Sequence, residues 1–366
     1  MDFSLSDEQR LLRESLAGYL ARGYDFDARR AAAQNGGWRA EVWRRFADEL
    51  GLFGASLGEE AGGLGGGPVE TMVIAEELGR ALVMEPYIES IVVATALLRD
   101  ERGAAEPLRA AIVAGDAIVA PALYEAKGRS SPGLVAATAS SSGDGSRLHG
   151  TKVVVAAAPI ATHFLVSAQE EGGVSLFLVD AHAEGIERRD YQLIDGRPAS
   201  DLAFAAVPAT RIGAAGGAMP RIEQAIDEGI AALAAEAVGV IDAMIVRTVD
   251  YTKQREQFGV AIASFQALQH RMADMLTLLE RSRSMAIMAT LALDTPAPER
   301  RRAVSAAKAF ISHALKTVGE SAIQLHGGIG TTEEIAISHY FKRATTMQSQ
   351  FGTAAWHLER MARDDQ

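Results

Sequence analysis

The sequence predicts an α+β protein that is mainly helical, in which a β-rich segment lies between two helical segments. Its 366 residues are 48% hydrophobic and 23% charged, which is typical of a soluble globular chain large enough for two or three domains. Apolar residues recur every three or four positions in the first and last thirds, whereas the middle third alternates short apolar runs with turn residues. We therefore predict an N-terminal helical domain over residues 1–115, a middle β domain over 116–212 and a C-terminal helical bundle over 213–366.

The N-terminal domain begins with a helix-capping signature. Ser6 is followed three residues later by Gln9, which is the spacing of a capping box. The apolar residues that follow keep helical spacing: Leu11, Leu12, Leu16, Tyr19 and Leu20. A glycine-rich loop at residues 62–67 interrupts the pattern, and helical periodicity resumes over residues 72–98. This domain is therefore predicted to be all helical.

Short runs of β-branched, aromatic and other apolar residues define the middle domain. They cover residues 153–155, 164–166, 176–179 and 202–204. The segment 140–146 consists of serines, glycines and one aspartate, so it predicts a hairpin or a loop. Together these runs predict a small β domain.

The C-terminal domain begins with a long apolar helix pattern over residues 222–244, and two more helical patterns follow over 272–293 and 304–325. Residues 296–302 contain two prolines and three arginines, which predicts a loop and the solvated start of the next helix. The apolar stretch 230–245 is interrupted by two acidic residues and a glycine, so it predicts a buried helix rather than a membrane span.

Charge and cysteine content exclude several classes of function. The 36 lysine and arginine residues, against 47 aspartate and glutamate residues, leave a formal net charge of −11, which argues against sequence-independent binding to nucleic acid or anionic lipid but leaves room for a local basic site. The absence of cysteine excludes disulfides, thiolate zinc sites, iron–sulfur clusters and a cysteine nucleophile. Residues 1–7 are polar and acidic, unlike a signal peptide, so we expect a cytoplasmic protein.

Common catalytic motifs do not occur. The eight histidines are scattered without a His-Glu-x-x-His pair, so no metal site is predicted. The sequence contains no Walker loop and no Gly-x-Ser-x-Gly elbow, and the glycines at 62–67 lack the strand that precedes a dinucleotide fingerprint. We therefore predict neither a P-loop nucleoside triphosphatase nor a serine hydrolase.

Two tracts in the last third indicate contact with a phosphate-bearing ligand. Arg255 stands three residues before Phe258 in the tract 251–259, and Phe265 and Gln266 follow; an arginine fork can bind phosphate beside a ring that packs on a purine. The tract 324–330 places glycines directly after a predicted helix. These glycines are consistent with a simple helix C-cap, or with a backbone that approaches a pyrophosphate closely.

The helical, β, helical order, with Gln254-Arg255-Glu256-Gln257-Phe258-Gly259 and the tract 324–330, resembles the acyl-CoA dehydrogenase family over essentially the whole chain. Residues 59–65 are similar to the family's first-domain loop, and the likeness is greatest to the small subunits of pimeloyl-CoA dehydrogenase and related heteromeric enzymes. The resemblance implies a helical domain, a small β-barrel-like domain and a C-terminal four-helix bundle. It also implies an FAD enzyme that removes hydrogen from the α and β carbons of an acyl-CoA and is reoxidised by electron-transfer flavoprotein.

The catalytic base that the resemblance implies is missing. The family commonly keeps a glutamate directly before a Gly-Thr near the C-terminus, and here Phe351 stands in that position. Other members keep the glutamate early in the long helix of the last domain, at the position of Gly229. Glu228 is adjacent but would be rotated by roughly 100° around the helix, so it is a weak candidate, and Glu236 is weaker still.

Compared with the family, this chain has lost the residues that contact the flavin ring and has kept most of the other cofactor contacts. In the family, one loop of the β domain contacts the flavin ring, and residues 124–130 stand in its place with a different sequence. The family's Trp-Ile-Thr-Asn-Gly run is replaced by Val154-Val155-Ala156-Ala157-Ala158. Ala355 replaces the polar residue that follows the family's Gly-Thr. The residues that match the family's cofactor contacts are Arg255, Phe258, Gln266, Gln324, Leu325, Gly327, Gly328 and Thr353. Most of this set reaches across a dimer interface in the family to hold the neighbour's FAD.

The pattern of losses and matches favours one hypothesis over two others. We expect the small subunit of a heterotetrameric acyl-CoA dehydrogenase, which lacks its own base and completes the FAD site of a large subunit. The alternatives are a self-sufficient homo-oligomeric dehydrogenase that uses Glu228, and a flavoprotein of the same fold adapted to a different reaction.

Overall fold

The computed structural model describes residues 4–59, 62–128, 130–142 and 145–364. Twelve α-helices lie within these residues: α1 (Asp7–Gly23), α2 (Phe26–Gln34), α3 (Ala40–Asp48), α4 (Leu52–Ala55), α5 (Pro68–Arg80), α6 (Ala94–Leu98), α7 (Ala105–Val113), α8 (Met219–Gln254), α9 (Gln266–Leu291), α10 (Ala297–His326), α11 (Ala336–Ser349) and α12 (Ala354–Asp364). A π-helix at Tyr87–Val93 runs directly into α6. The mainly helical α+β class is confirmed.

Nine strands lie within the same described residues: β1 (Val119–Ala122), β2 (Thr138–Ser142), β3 (Gly145–Ala156), β4 (His163–Glu170), β5 (Gly173–Asp180), β6 (Ile186–Gln192), β7 (Pro198–Ile212), β8 (Glu256–Gln257) and β9 (Val260–Ala261). Strands β2 and β3 pair antiparallel, which is the hairpin alternative predicted for the segment 140–146. Residues 140–142 and 145–146 belong to the two strands, and residues 143 and 144 lie outside the described residues.

The chain divides into two compact units. One contains Met1–Arg30, Met72–Val83 and Ile230–Gln366, and the other contains Ala31–Thr71 and Met84–Gly229. The three-domain division at residues 115 and 212 stays a prediction.

The second unit contains a seven-stranded sheet that closes on itself. Its order is β1-β4-β2-β3-β7-β5, β6 pairs with β7, and an added β4–β5 pairing closes the ring. Apolar side chains that alternate along these strands fill the interior, and Phe164, Phe177 and Leu148 are among the most buried of them. Alternation with period two explains why the short apolar runs of the sequence identify these strands.

The first unit packs helices at close range. An added Cβ at Gly79 would lie 2.1 Å from the carbonyl oxygen of Glu236, and one at Gly239 would lie 1.9 Å from the carbonyl oxygen of Glu76. Helices α5 and α8 therefore cross where each presents a glycine, because any larger side chain would overlap the opposite backbone. The capping box predicted for α1 is present: the Ser6 hydroxyl accepts from the Gln9 amide, and the Gln9 side chain accepts from the Ser6 amide.

A helix begins within residues 296–302, as predicted, and the structure corrects the expected exposure of one arginine there. Helix α10 begins at Ala297 with Pro298 inside its first turn, where a missing amide hydrogen costs nothing. Arg300 is buried rather than solvated. Arginine has a long aliphatic stem, so an arginine run near a helix start does not by itself indicate exposure.

By length and composition, α8 could cross a membrane, but 89% of its most apolar stretch is buried inside the protein, as in the core helix of a soluble protein. Among the described residues, no group of three or more histidine, aspartate or glutamate side chains could hold a metal ion.

Candidate functional site

An exposed hairpin follows the end of α8. Strands β8 and β9 pair antiparallel, and Phe258 and Gly259 form the two-residue turn with φ values of 54° and 80°. Positive φ at both positions is the type I′ pattern, in which asparagine and glycine are usual and phenylalanine is uncommon. The Phe258 side chain is 93% exposed. The hairpin thus holds an aromatic ring in solvent at a backbone position that disfavours it.

Arg255 is fixed through its backbone at the base of this hairpin. Its amide donates to the Tyr251 carbonyl at 2.9 Å, and its carbonyl accepts from the Ile262 amide at 2.8 Å. The side chain is exposed and makes no hydrogen bond or ion pair with any described residue. Gln266, also exposed, begins α9 next to Phe265, whose ring meets that of Phe258 edge to face at 6.2 Å. The hairpin therefore brings the first three predicted cofactor contacts into one region.

The glycine tract lies at the end of α10. Gly327 has a φ of 68° and ends the helix, and at both Gly327 and Gly328 an added Cβ would meet no atom within 4 Å. Gln324 is exposed. The Leu325 side chain is buried in the core, so it is not open to a ligand. The open space beside the two glycines leaves their backbone accessible.

A stacked pair that the sequence analysis missed connects the two tracts. The rings of Tyr251 and His326 lie 4.4 Å apart, and the Tyr251 hydroxyl donates to the His326 carbonyl at 3.2 Å. His326 Nδ1 must donate to the Ala322 carbonyl at 2.8 Å, because a carbonyl only accepts. Burial lowers the pKa of His326, although the hydrogen bond to Ala322 opposes that shift. The only signal in the sequence is that each residue lies within one of the two predicted contact tracts.

The exposed hairpin and the glycine tract fit part of an FAD molecule. A guanidinium without a protein partner suits a pyrophosphate, and an exposed phenyl ring suits the face of an adenine. Glycine backbone with open space above it permits close approach by a charged phosphate. The residues present therefore fit the adenosine and pyrophosphate half of the cofactor.

The residues that stand at the family's flavin-ring positions fit the ring poorly. Val154 is left-handed with a φ of 51°, and its amide donates to Asp201 Oδ1 at 3.0 Å. The Ala157 amide donates to the Pro198 carbonyl at 3.0 Å, and residues 154–158 carry no side-chain hydroxyl. The amides of Val154 and Ala157 are thus used within the chain.

The loop at residues 124–130, which stands at the family's other flavin-ring position, makes hydrogen bonds within the β domain through Glu125. The Glu125 carboxylate accepts from the Ala136 and Ala137 amides and from Lys152 Nζ at 2.8 Å. Arg129 in this loop lies outside the described residues, as do Glu60 and Ala61 in the tract 59–65.

The turn before α12 contains the position where the family commonly keeps its base. Phe351 and Gly352 are both left-handed, with φ values of 58° and 111°. The exposed Thr353 follows, and its hydroxyl accepts from the Trp356 amide at 3.3 Å as the cap of α12. Phe351 cannot accept a proton, and Ala355 is exposed in the first turn of α12.

Glu228 is held by a bidentate ion pair. Arg99 Nη1 and Nη2 donate to Glu228 Oε1 and Oε2, both at 2.8 Å, and Gln224 lies 3.4 Å from Oε1. The Glu228 side chain is 13% exposed. Both carboxylate oxygens therefore accept hydrogen bonds from the Arg99 guanidinium, which holds the carboxylate in place.

Glu236 is held in the same manner inside the first unit. Arg343 Nε donates to Glu236 Oε1 at 2.8 Å and Nη2 donates to Oε2 at 2.7 Å, with both side chains buried. The two carboxylates that the sequence offered as bases are thus each paired with an arginine, from 129 and 107 positions away.

Comparison with known families accounts for nearly the whole chain. Residues 6–101, 120–207 and 216–364 match the profiles of the acyl-CoA dehydrogenase N-terminal, middle and C-terminal domains. The chain belongs to the acyl-CoA dehydrogenase family, and the fold predicted from that resemblance is confirmed.

Several relatives are similar along their full length. Acyl-CoA dehydrogenase IpdE2 of Mycobacterium tuberculosis is 31% identical over 92% of this chain and 91% of its own. Among solved structures, the Tcur3481-Tcur3483 steroid ACAD has a TM-score of 0.90 at 31% identity, covering 99% of this chain and 98% of that chain. The ChsE4-ChsE5 complex of M. tuberculosis has a TM-score of 0.89 at 26% identity, covering 100% of this chain and 98% of that chain. The FAD complex of PigA has a TM-score of 0.90 at 26% identity, covering 99% of this chain and 98% of that chain.

Proposed function

We propose that this chain is the small subunit of a heteromeric, FAD-dependent acyl-CoA dehydrogenase. In this role it lacks a base of its own and supplies the contacts that hold the adenosine and pyrophosphate of the FAD in a large subunit. The expected assembly is a heterotetramer in the cytoplasm, acting on an acyl-CoA and passing electrons to electron-transfer flavoprotein.

One observation carries the proposal: neither of the family's two base positions holds a carboxylate in this chain. Phe351 stands at one of the family's base positions and Gly229 at the other. The neighbouring Glu228 is occupied by Arg99. A carboxylate whose two oxygens accept from one guanidinium is held by that side chain and is poorly placed to accept a substrate proton. This pair also weighs against the self-sufficient alternative that uses Glu228.

The cofactor contacts support the same division of roles. The cofactor is FAD, which supplies the hydride acceptor for the β carbon when bound. Arg255 and Phe258 are exposed and directed into solvent, as residues that act on a neighbouring chain would be. Two of the similar structures are named as pairs, Tcur3481-Tcur3483 and ChsE4-ChsE5, which supports a partner subunit.

Flavin stoichiometry tests the proposal directly. The chain is co-expressed with the product of the adjacent reading frame, and the purified material is sized and its FAD counted per chain. We expect a complex of unlike chains with one FAD for each pair, because one chain supplies the ring site and the other the adenosine contacts. A homo-oligomer of this chain alone that binds one FAD per chain would contradict the proposal.

Replacing Arg255 by alanine in the assembled complex should weaken FAD binding by about thirtyfold, or about 2 kcal/mol, because a charge-assisted phosphate contact is lost. Arg255→Lys retains the charge without the fork and should give an intermediate loss. The measurement is FAD affinity of the apo-complex by fluorescence titration.

Arg102→Ala serves as the matched control, since it removes the same charge from an exposed loop of the other unit. It should leave the affinity unchanged. Equal FAD affinity in the Arg255→Ala and Arg102→Ala complexes would show that Arg255 does not hold the cofactor.

A further inference from the structure

Tyr251 contacts both of the tracts to which the proposed function assigns the cofactor contacts. It lies in the last turn of α8, and its carbonyl accepts from the Arg255 amide at 2.9 Å. Its hydroxyl donates at 3.2 Å to the carbonyl of His326, which is the last residue of α10. One residue therefore joins the base of the exposed hairpin to the glycine tract.

The hydroxyl of Tyr251 acts at the point where the glycine tract leaves the helix. A helix leaves its last carbonyl groups without helical partners, and the His326 carbonyl is one of these. Gly327 follows with a φ of 68°, so the chain turns away from the helix axis immediately after this carbonyl. The bond from Tyr251 thus fixes the residue from which Gly327 and Gly328 extend.

The side chain of His326 adds a second contact at the same place. Its Nδ1 donates to the Ala322 carbonyl at 2.8 Å, one turn earlier in α10, which fixes the orientation of the ring. The Tyr251 ring stacks on it, with 4.4 Å between the ring centroids and 23° between the planes. Gly330 packs closely against the same side chain, because an added Cβ there would lie 2.9 Å from His326 Cβ. The stacked pair therefore connects the end of α8 with the glycine tract.

The Arg255 side chain depends on its backbone for its position. It is exposed and makes no hydrogen bond or ion pair with any described residue. Its backbone is held by the Tyr251 carbonyl and by the Ile262 amide, which donates to the Arg255 carbonyl at 2.8 Å. The distance from the guanidinium to the glycine tract is therefore limited by the contact between Tyr251 and His326.

We propose that Tyr251 is a positioning residue, which aligns Arg255 with the glycine tract so that both meet the same FAD pyrophosphate; this inference rests on the proposed function. The guanidinium supplies a charged fork, and the open backbone at Gly327 and Gly328 permits close approach. Two groups that bind one phosphate together gain affinity when the protein holds them at the correct separation before binding, because less order has to be imposed on binding. Tyr251 needs no contact of its own with the cofactor in this role.

Tyr251→Phe in the assembled complex tests the alignment. The variant keeps the ring and the backbone carbonyl and loses only the hydroxyl that bonds to His326. We expect the apo-complex to bind FAD about three- to tenfold more weakly, which is the effect of one neutral hydrogen bond. Riboflavin, which carries neither phosphate nor adenosine, should bind with unchanged affinity. An equal loss for riboflavin would overturn the proposal.

Tyr340→Phe is the matched control. Tyr340 on α11 also donates its hydroxyl to a backbone carbonyl, that of Arg80, so the substitution removes the same kind of bond elsewhere in the same unit. It should leave the FAD affinity unchanged. Equal weakening of FAD binding in the two variants would show that a general loss of hydrogen bonding is responsible, and would overturn the positioning role.

A combination with Arg255→Ala separates alignment from a structural role. Alignment of two contacts matters only while both are present, so adding Tyr251→Phe to Arg255→Ala should change the FAD affinity by less than about twofold. A further three- to tenfold loss in the double variant would show that the two residues act independently and would overturn the proposal.

Hydrogen exchange of the FAD-free complex gives a readout that does not depend on the cofactor. The amides of residues 326–331 should exchange about three- to tenfold faster in Tyr251→Phe than in the unmodified protein, and at the unmodified rate in Tyr340→Phe. Unchanged exchange in Tyr251→Phe would overturn this inference. Full FAD affinity in the Arg255→Ala complex would instead overturn the proposed function, so the two failures are distinguishable.

Discussion

Replacing Arg343 by alanine is expected to lower the free energy of unfolding by about 3–5 kcal/mol, a large share of the total stability of a typical domain. Arg343 and Glu236 are both buried and joined by two hydrogen bonds of 2.8 and 2.7 Å. Removing the guanidinium leaves the Glu236 carboxylate buried without its main cation. Urea unfolding followed by circular dichroism measures the loss.

The double variant Glu236→Leu/Arg343→Met distinguishes a broken ion pair from a simple loss of packing. It removes both charges while keeping apolar volume, so it should recover most of the stability that Arg343→Ala loses. Arg363→Ala is the control, because its partner Glu359 is exposed and such pairs contribute about 0–1 kcal/mol. If the double variant is less stable than Arg343→Ala, charge burial is not the cause.

The purified chain without its partner is expected to show little or no acyl-CoA dehydrogenase activity. General-base catalysis contributes roughly 10²- to 10⁴-fold in rate, and neither Gly229 nor Phe351, at the family's two base positions, can take the α proton. Adding the large subunit should restore reduction of an electron acceptor. Anaerobic assays of each chain alone and of the reconstituted complex, with one acyl-CoA, measure the difference.

Glu228→Gln in the reconstituted complex provides the decisive comparison. Because Glu228 is occupied by Arg99, the substitution should leave turnover within about twofold and cost about 1 kcal/mol or less in stability, since Arg99 is well exposed. Activity of the isolated chain that disappears in Glu228→Gln would instead establish a self-sufficient enzyme.

The secondary structure was predictable because its causes are local. Helix α1 begins at a capping box formed by residues three positions apart, and the strands β3, β4, β5 and β7 each contain an apolar run identified in the sequence. The π-helix at Tyr87–Val93 was predicted only as a helical segment, because the apolar spacing does not distinguish one helical hydrogen-bond pattern from another. Long periodic segments were the most reliable part of the prediction.

Burial of charged side chains was less predictable. Arg300 was expected in solvent and is buried. Lys308 interrupts the apolar face of α10, between Val304 and Ile311, and this interruption was the one available signal that a lysine lay in the core. Whether such a residue turns outward or finds buried acceptors depends on the helices that pack against it.

By itself, the sequence determined the family, the helical and β segments, the absence of a glutamate at positions 229 and 351, and the presence of the aromatic–arginine tract, since each depends on residue identity or short-range spacing. Only the tertiary structure decided what the remaining carboxylates do. Glu228 meets Arg99 from 129 positions away, and Glu236 meets Arg343 from 107 positions away. Ion pairs over such separations depend on how distant elements pack, and no local pattern encodes which arginine a buried glutamate will meet.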